Sequence, residues 1–434
     1  MKYLKALKTP GSGIRAYRRL AVILVFVGLT AYFLLPVWAS SSYDSLRLYT
    51  EAMFEITQKY VWPKSENTLM NGSLRGMVNS LDPDSSFLTA KEYQAYLHGD
   101  KSAPAEAGLV LIVKNNLLTV ASVIDDSPAA RAGLKPGDHI LKIDGHRVKN
   151  LTTQEANRRF QGAANAKIKL QVIRTNAVKP LDLTVTLEPL GVSTVTTQYL
   201  EHGIAYVRIR YFNEQTPTEL ATALTKLKQH QPPVKGIILD LRNNARGTME
   251  EAVRSASLLV GDQKILMAKG RTPKSEESFS GKNRDLVFKQ LPPIVVLMDQ
   301  GTGRAAEIMA GALRDDAHAT LLGAKTLGLC GLTKTFPLED GSALVMTVAQ
   351  CYTPKGYKIQ GKGLEPMVEG VKPEEAKAGK QAPEQVKTPE MDPWVQQAVD
   401  LLTKGKIQTA LVITYHGDGP LTGPAPKYQG DPVQ

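Results

Sequence analysis

Cysteine is nearly absent from this chain: 434 residues contain two, Cys330 and Cys351. That excludes a fold built on a disulfide framework. None of the seven histidines stands at metal-ligand spacing from another His or Cys, so neither a metal site nor a cofactor is expected. Acidic residues are missing altogether before Asp44, whereas Lys2, Lys5, Lys8, Arg15, Arg18 and Arg19 lie in that stretch. Those six account for more than half of the net charge of +11 and leave +5 for the remainder. A charge that small, spread over so long a chain, does not make a nucleic-acid-binding surface. The 42% hydrophobic and 22% charged content instead fits a globular chain of two or three domains.

Long apolar runs are also scarce, with one exception. Leu20 to Trp38 carries no charge and, at about 1.5 Å per residue, nearly spans a ~30 Å hydrocarbon layer. The basic flank before it predicts a cytoplasmic N-terminus and an exported bulk, periplasmic or extracytoplasmic. An uncleaved single-pass anchor at residues 20–38 is the expectation. Val37-Trp38-Ala39 also fits a cleavage site, which keeps a removed signal peptide open.

The rest divides by pattern. Leu46, Tyr49, Met53, Ile56 and Tyr60 recur every three or four residues and predict an amphipathic helix, followed by helices over 68–81 and 90–97. From 107 to 190 the chain becomes strand-like, with Leu109–Val113, Thr119–Val123, Ile140–Ile143 and Lys167–Arg174 rich in β-branched residues. Between them, Ser127 suits a helix N-cap, Pro128 the first helical position and Gly133 the helix end. From Ile204 onward, strands and helices alternate as in an α/β layer with a largely parallel sheet. Lys334 to Pro354 predicts a hairpin turning at Asp340-Gly341. The expected fold is therefore multidomain α/β: basic N-terminus and anchor (1–39), helical region (40–100), a β-rich module with two helices (101–190), the α/β domain (191–402) and a tail (403–434).

Two resemblances sharpen this reading. The run Ser127-Pro128-Ala129-Ala130-Arg131-Ala132-Gly133-Leu134, with Lys135-Pro136-Gly137-Asp138 and Ile140 to Gly145 after it, resembles a PDZ domain. Gly76 to Thr89, Lys235 to Asn244, Gly341 to Pro354 and Ile359 to Pro366 are similar, in order, to motifs of the carboxy-terminal processing (tail-specific) serine peptidases. That resemblance implies a helical N-terminal part, a PDZ module that binds substrate C-termini, and a peptidase domain working through a Ser–Lys dyad. In such a dyad a lysine of lowered pKa takes the serine proton, a glutamine orients the lysine, and backbone N–H groups stabilise the oxyanion.

Here the resemblance carries an exception. The family's G-[ST]-A-S-A-S-E reads Gly301-Thr302-Gly303-Arg304-Ala305-Ala306-Glu307, and the apolar helix after it aligns without a gap. Arg304 thus falls on the nucleophile. In T-F-G-K-G-x-x-Q, Leu329 falls on the lysine and Thr333 on the glutamine, and Arg246 replaces a glycine of the oxyanion turn. Arginine offers donors only and leucine has no lone pair, so the family's route is closed as written. Thr302, Cys330, Lys325 and Lys334 are the nearby groups that a rewired mechanism would use. Glu307 and Asp315 match acidic family positions and read as structural. Arg304 and Arg246 are expected either to face the cleft, where they would hold a carboxylate, or to pair with local acids or reach solvent.

Cys330 and Cys351 would sit opposite each other if the hairpin turned on Asp340-Gly341 without a bulge, which allows a disulfide in an exported protein. Gly108-Leu109-Val110-Leu111 stands where PDZ modules bind a C-terminal carboxylate, with the next strand open to β-augmentation. The expected function is that of a non-catalytic homologue, a pseudoprotease. It would be tethered at a membrane and bind protein C-termini or unstructured peptides, with an active protease as a further candidate partner. Two alternatives stay open: an active serine-type endopeptidase with displaced groups, and an envelope scaffold without peptide binding.

Overall fold

The computed structural model describes residues 43–98, 104–114, 117–148, 151–175, 177, 179–282, 286–371 and 389–404. The expected anchor (20–38), its basic flank, the tail beyond 404 and most of the Pro- and Glu-rich stretch before 389 lie outside them. No helix among the described residues is long and apolar enough to cross a membrane.

Among the described residues, those from 43 to 74 form one compact unit and those from 75 onward another. In the first, a helix over 43–59 is followed by residues 66–74 of the helix Glu66–Asn79, which runs on into the second, and the Tyr49 hydroxyl meets Ser73 Oγ at 2.8 Å. Leu46, Phe54 and Trp62 remain exposed.

The β-rich module of the second unit carries a five-stranded antiparallel path, Leu109–Lys114, Leu117–Val123, His139–Ile143, Lys167–Ile173 and Leu181–Thr186. Ser127 caps the short helix Pro128–Arg131 by accepting from Ala130 N at 3.2 Å, as its Ser-Pro-Ala pattern requires. Its hydroxyl also donates to Gly108 O at 3.1 Å. Gly108 has φ +74°, and a Cβ there would lie 2.3 Å from that of Ser127, so only glycine fits. The second helix, Thr153–Arg158, lies along the outer edge of Leu109–Lys114. Leu111, Val172 and Val185 are fully buried between sheet and helices.

The α/β part carries a six-stranded sheet in the order Val195–Leu200, Ile204–Ile209, Gly236–Asp240, Ile294–Met298, Thr320–Gly323, Val368–Glu369. The first pair is antiparallel and all others are parallel. Its central strands Gly236–Asp240, Ile294–Met298 and Thr320–Gly323 are buried along their whole length because both faces are covered. Ile237, Leu239, Ile294 and Val296 pack with the helices Thr216–Gln229, Met249–Val260 and Ala305–Asp316. Ile238, Val295 and Leu297 pack with Val395 and Ala398 of the helix Pro393–Thr403.

A second sheet joins Gly331–Pro337, Ala343–Tyr352, Lys264–Gly270 and Glu276–Ser280 to the short strand Ser86–Leu88. Its hairpin corrects the expected register. Pro337 faces Ala343 across a loop over 338–342, one residue off a turn centred between Asp340 and Gly341. A bulge between Leu332 and Thr333 then shifts the pairing back, so that Gly331 faces Gln350.

Candidate functional site

Ligand and active sites of parallel α/β sheets form beyond the carboxyl ends of the strands. Here three loops meet there. They follow Gly236–Asp240, Ile294–Met298 and Thr320–Gly323, and backbone bonds lace them together. Gly303 N donates to Asn244 O (2.8 Å), Leu327 N to Thr302 O (2.9 Å) and Arg304 N to Leu329 O (2.9 Å).

Arg304 stands at the start of the helix Ala305–Asp316 with φ 51° and ψ −118°. A non-glycine residue held in that region costs on the order of 1–3 kcal/mol. Its side chain is engaged at the cleft by an acid and a carbonyl, Asp84 and Ala245. Nη2 contacts Asp84 Oδ1 at 2.6 Å, and Asp84 is only 8% exposed. Arg246 likewise pairs with both oxygens of Glu106 (3.0 and 2.9 Å), its guanidinium lying over the Tyr211 ring. Of the expectations for the two guanidinium groups, pairing with acids is the one seen: Asp84 and Glu106, 220 and 140 residues away in sequence, take them.

Leu329 is buried among Val110, Ile112, Ala121 and Ala245, so its side chain ties the cleft loop to the β-rich module. Glu307, three residues into the helix, organises the same loop. Its carboxylate accepts from Gly328 N (2.7 Å), Leu329 N (3.0 Å), Arg304 N (3.2 Å) and the Thr326 hydroxyl. Burial pushes its pKa up to about 7, against the pull of those donors, because no cation is among them. Asp315 accepts from Arg314 Nε and Lys355 N, which suits a structural part.

Cys330 and Cys351 form a disulfide with Cα atoms 5.5 Å apart, and Cys351 N donates to Cys330 O at 3.0 Å. Sequence reasoning treated a bulge as the feature that would separate them. The bulge instead aligns them, by correcting the offset of the turn. The bridge lines a cavity of about 390 Å³ together with Arg304, Asp84, Met249, Ile308 and Leu332. The hydroxyls on that lining are those of Thr153, Thr248 and Thr333, and no lysine is among its described residues.

The displaced groups named from sequence are committed elsewhere. Thr302 is fully buried and its hydroxyl donates to Leu241 O at 2.9 Å. Lys325 pairs with Glu365 at the surface, Lys334 is exposed, and Cys330 is in the bridge.

The expected carboxylate loop, Gly108 to Leu111, is buried throughout. Its strand edge is not open either, which corrects the expectation. Asn157 accepts from Leu111 N and donates to Leu111 O, both at 2.9 Å. Thr153 Oγ accepts from Val113 N at 3.1 Å. A helix packed this close lets its short polar side chains stand in for a neighbouring strand. Nothing in the spacing of Leu111 and Asn157 announces it.

One strand end away lies a different arrangement. Asp240 is buried between Arg208 (3.2 Å) and Arg242 (2.6 Å), while Arg208 also binds Asp125 and Arg242 also binds Asp392. Burial works against its charge, but Arg242 and Arg208 overcome it and hold the carboxyl below its ordinary range.

Comparison with known proteins gives this geometry a family. Residues 203–369 match peptidase family S41, and residues 119–174 match the PDZ domain. The carboxy-terminal-processing protease of Bartonella bacilliformis is 33% identical over 341 residues, spanning 78% of this chain and 78% of that protein. The chain belongs to this family of carboxy-terminal processing proteases. The carboxy-terminal processing protease CtpA of Bacillus subtilis is 32% identical over 338 residues, covering 78% of this chain and 71% of its own length. Among solved structures, a photosystem II D1 C-terminal processing protease matches with a TM-score of 0.62 at 25% identity, over 75% of this chain and 93% of that one. The fold is thus a PDZ module with an S41 peptidase domain, a combination that suggests binding of peptides and C-termini. Sequence reasoning singled out Arg304, Leu329 and Thr333 by resemblance and paired the two cysteines by hairpin register; of these, Arg304, Thr333 and both cysteines line the cavity. It missed Asp84, Glu106, Asn157 and Thr153, whose parts depend on contacts between distant segments.

Proposed function

We propose that this chain is a non-hydrolysing member of the carboxy-terminal processing protease family, tethered to a membrane through residues 20–38 and exported beyond it. It binds protein C-termini through its PDZ module and acts as an adaptor or regulator. The observation that carries this reading is the pairing of Arg304 with Asp84 at the helix start. The residue aligned with the family's nucleophile is a guanidinium, which can neither attack a carbonyl nor accept a proton. Leu329, aligned with the family's lysine, adds support by spending its side chain on apolar packing.

An active enzyme with displaced groups finds less support, since Thr302, Lys325 and Cys330 are each engaged in other bonds. The test is incubation of the full chain in detergent with unstructured C-terminal peptides, scoring binding and cleavage together. Binding without turnover is expected. Turnover abolished by substituting Thr302, Thr248 or Thr333 would remove the proposal. For location, protease accessibility in intact and permeabilised cells tests the exported bulk.

A further inference from the structure

The outer edge of Leu109–Lys114 faces the helix Thr153–Arg158, and it is already hydrogen-bonded. Asn157 supplies one acceptor and one donor to Leu111, which is what an added antiparallel strand residue supplies. Its amide nitrogen donates in addition to Thr153 O at 2.7 Å, so both ends of the amide are satisfied. Thr153 is engaged twice, accepting from Val113 N and donating to Pro83 O at 2.7 Å. The helix is held down from its far side as well, through Glu155 and Arg75 (2.8 Å), while Arg75 is fixed by Glu92.

We infer that Asn157 and Thr153 are an internal strand mimic that closes the PDZ groove, so that a peptide C-terminus enters only after both side chains are displaced. The inference rests on the peptide-binding function proposed above and adds its regulation. A ligand that binds the open groove alone has its apparent affinity reduced by the fraction of molecules that are open. Removing the mimic raises that fraction. The backbone of Leu111 is the recognition element, and the side chains compete with the ligand for it.

The experiment uses the full chain in detergent and a fluorescein-labelled decapeptide ending in three apolar residues, with its C-terminally amidated twin as control. Asn157→Ala is expected to bind the free-carboxylate peptide about tenfold more tightly than the unaltered chain, the factor that loss of one or two competing hydrogen bonds produces. Thr153→Val, which keeps the side-chain shape, is expected to gain about threefold. Hydrogen exchange across residues 109–114, read without peptide, is expected to quicken in both variants. Faster exchange with unchanged or weaker affinity would overturn the gating while leaving peptide binding in place. Unchanged exchange would show that these side chains do not cap the strand. Absence of binding by all three proteins would take away the peptide-binding function and the gate with it.

Discussion

Asp240 and Glu307 are both buried carboxylates, Asp240 at the carboxyl end of one parallel strand and Glu307 in the helix that follows its neighbour, yet they are stabilised by opposite means. Asp240 sits between two arginines that continue to Asp125 and Asp392, so its charge is matched and distributed. Glu307 receives only neutral donors, three backbone N–H groups and a hydroxyl. The first arrangement holds the PDZ module, the central strand and the last helix together through charge. The second shapes one loop and leaves the carboxylate with an uncompensated desolvation cost. Neighbouring sites on one sheet thus separate into a scaffold hub and a cleft whose electrostatics are unbalanced.

The strongest way to break this contrast is Asp240→Asn. Two buried guanidinium groups lose their shared partner, and about 3–5 kcal/mol of stability should go, read from urea unfolding. A loss below 1 kcal/mol would mean that the hub is not a hub.

The cleft side is held covalently, so its counterpart is the double substitution Cys330→Ala with Cys351→Ala. For a loop closed at a sequence separation of 21, about 3 kcal/mol is expected. Mass spectrometry after alkylation with and without reductant checks the bridge itself.

A sharper distinction comes from pH. Glu307 has a folded pKa of about 7, above its ordinary value of 4.5, so the fold binds its proton more tightly than the unfolded chain does. Stability from this group is present below pH 4.5 and is lost as pH rises to 7, on the order of 1–3 kcal/mol. Asp240 acts with the opposite sign: its carboxyl is depressed, so its contribution is present above the ordinary carboxylate range and falls away in acid. Glu307→Gln should flatten the slope between pH 4.5 and 7 and leave acid unfolding in place. A slope unchanged by that substitution would remove Glu307 as its source.

The smallest effect concerns backbone strain in the cleft. At φ 51°, Arg304→Gly should be more stable than Arg304→Ala by about 1 kcal/mol, because both lose the Asp84 pair and glycine alone accepts the conformation. Equal unfolding midpoints would place the strain elsewhere.

Much of the architecture was legible without coordinates. Ile237 to Leu239 and Ile294 to Met298 are apolar runs within strands, which only a sheet covered on both faces buries. Ser127-Pro128 wrote its own helix start, since capping needs only the residues beside it. Polar strands escaped the same reading. Glu276–Ser280 alternates nothing and is mostly exposed, and it exists because Lys264–Gly270 offers it an edge. The same limit hid Asn157, whose mimicry of a strand depends on how closely a six-residue helix approaches a sheet.

By itself, then, the sequence determined the order of modules, the strands buried on both faces, the local caps and the presence of Arg304 and Leu329 in the segments that resemble the family's catalytic motifs. These follow from side-chain chemistry and short-range sterics, which neighbouring residues fully specify. Tertiary structure alone decided the partners of Arg304 and Arg246, the bulge that brings Cys330 to Cys351, the closure of the PDZ edge and the raised pKa of Glu307. Each of those depends on which distant groups share a volume from which water is excluded, and the linear order of residues does not state that distance.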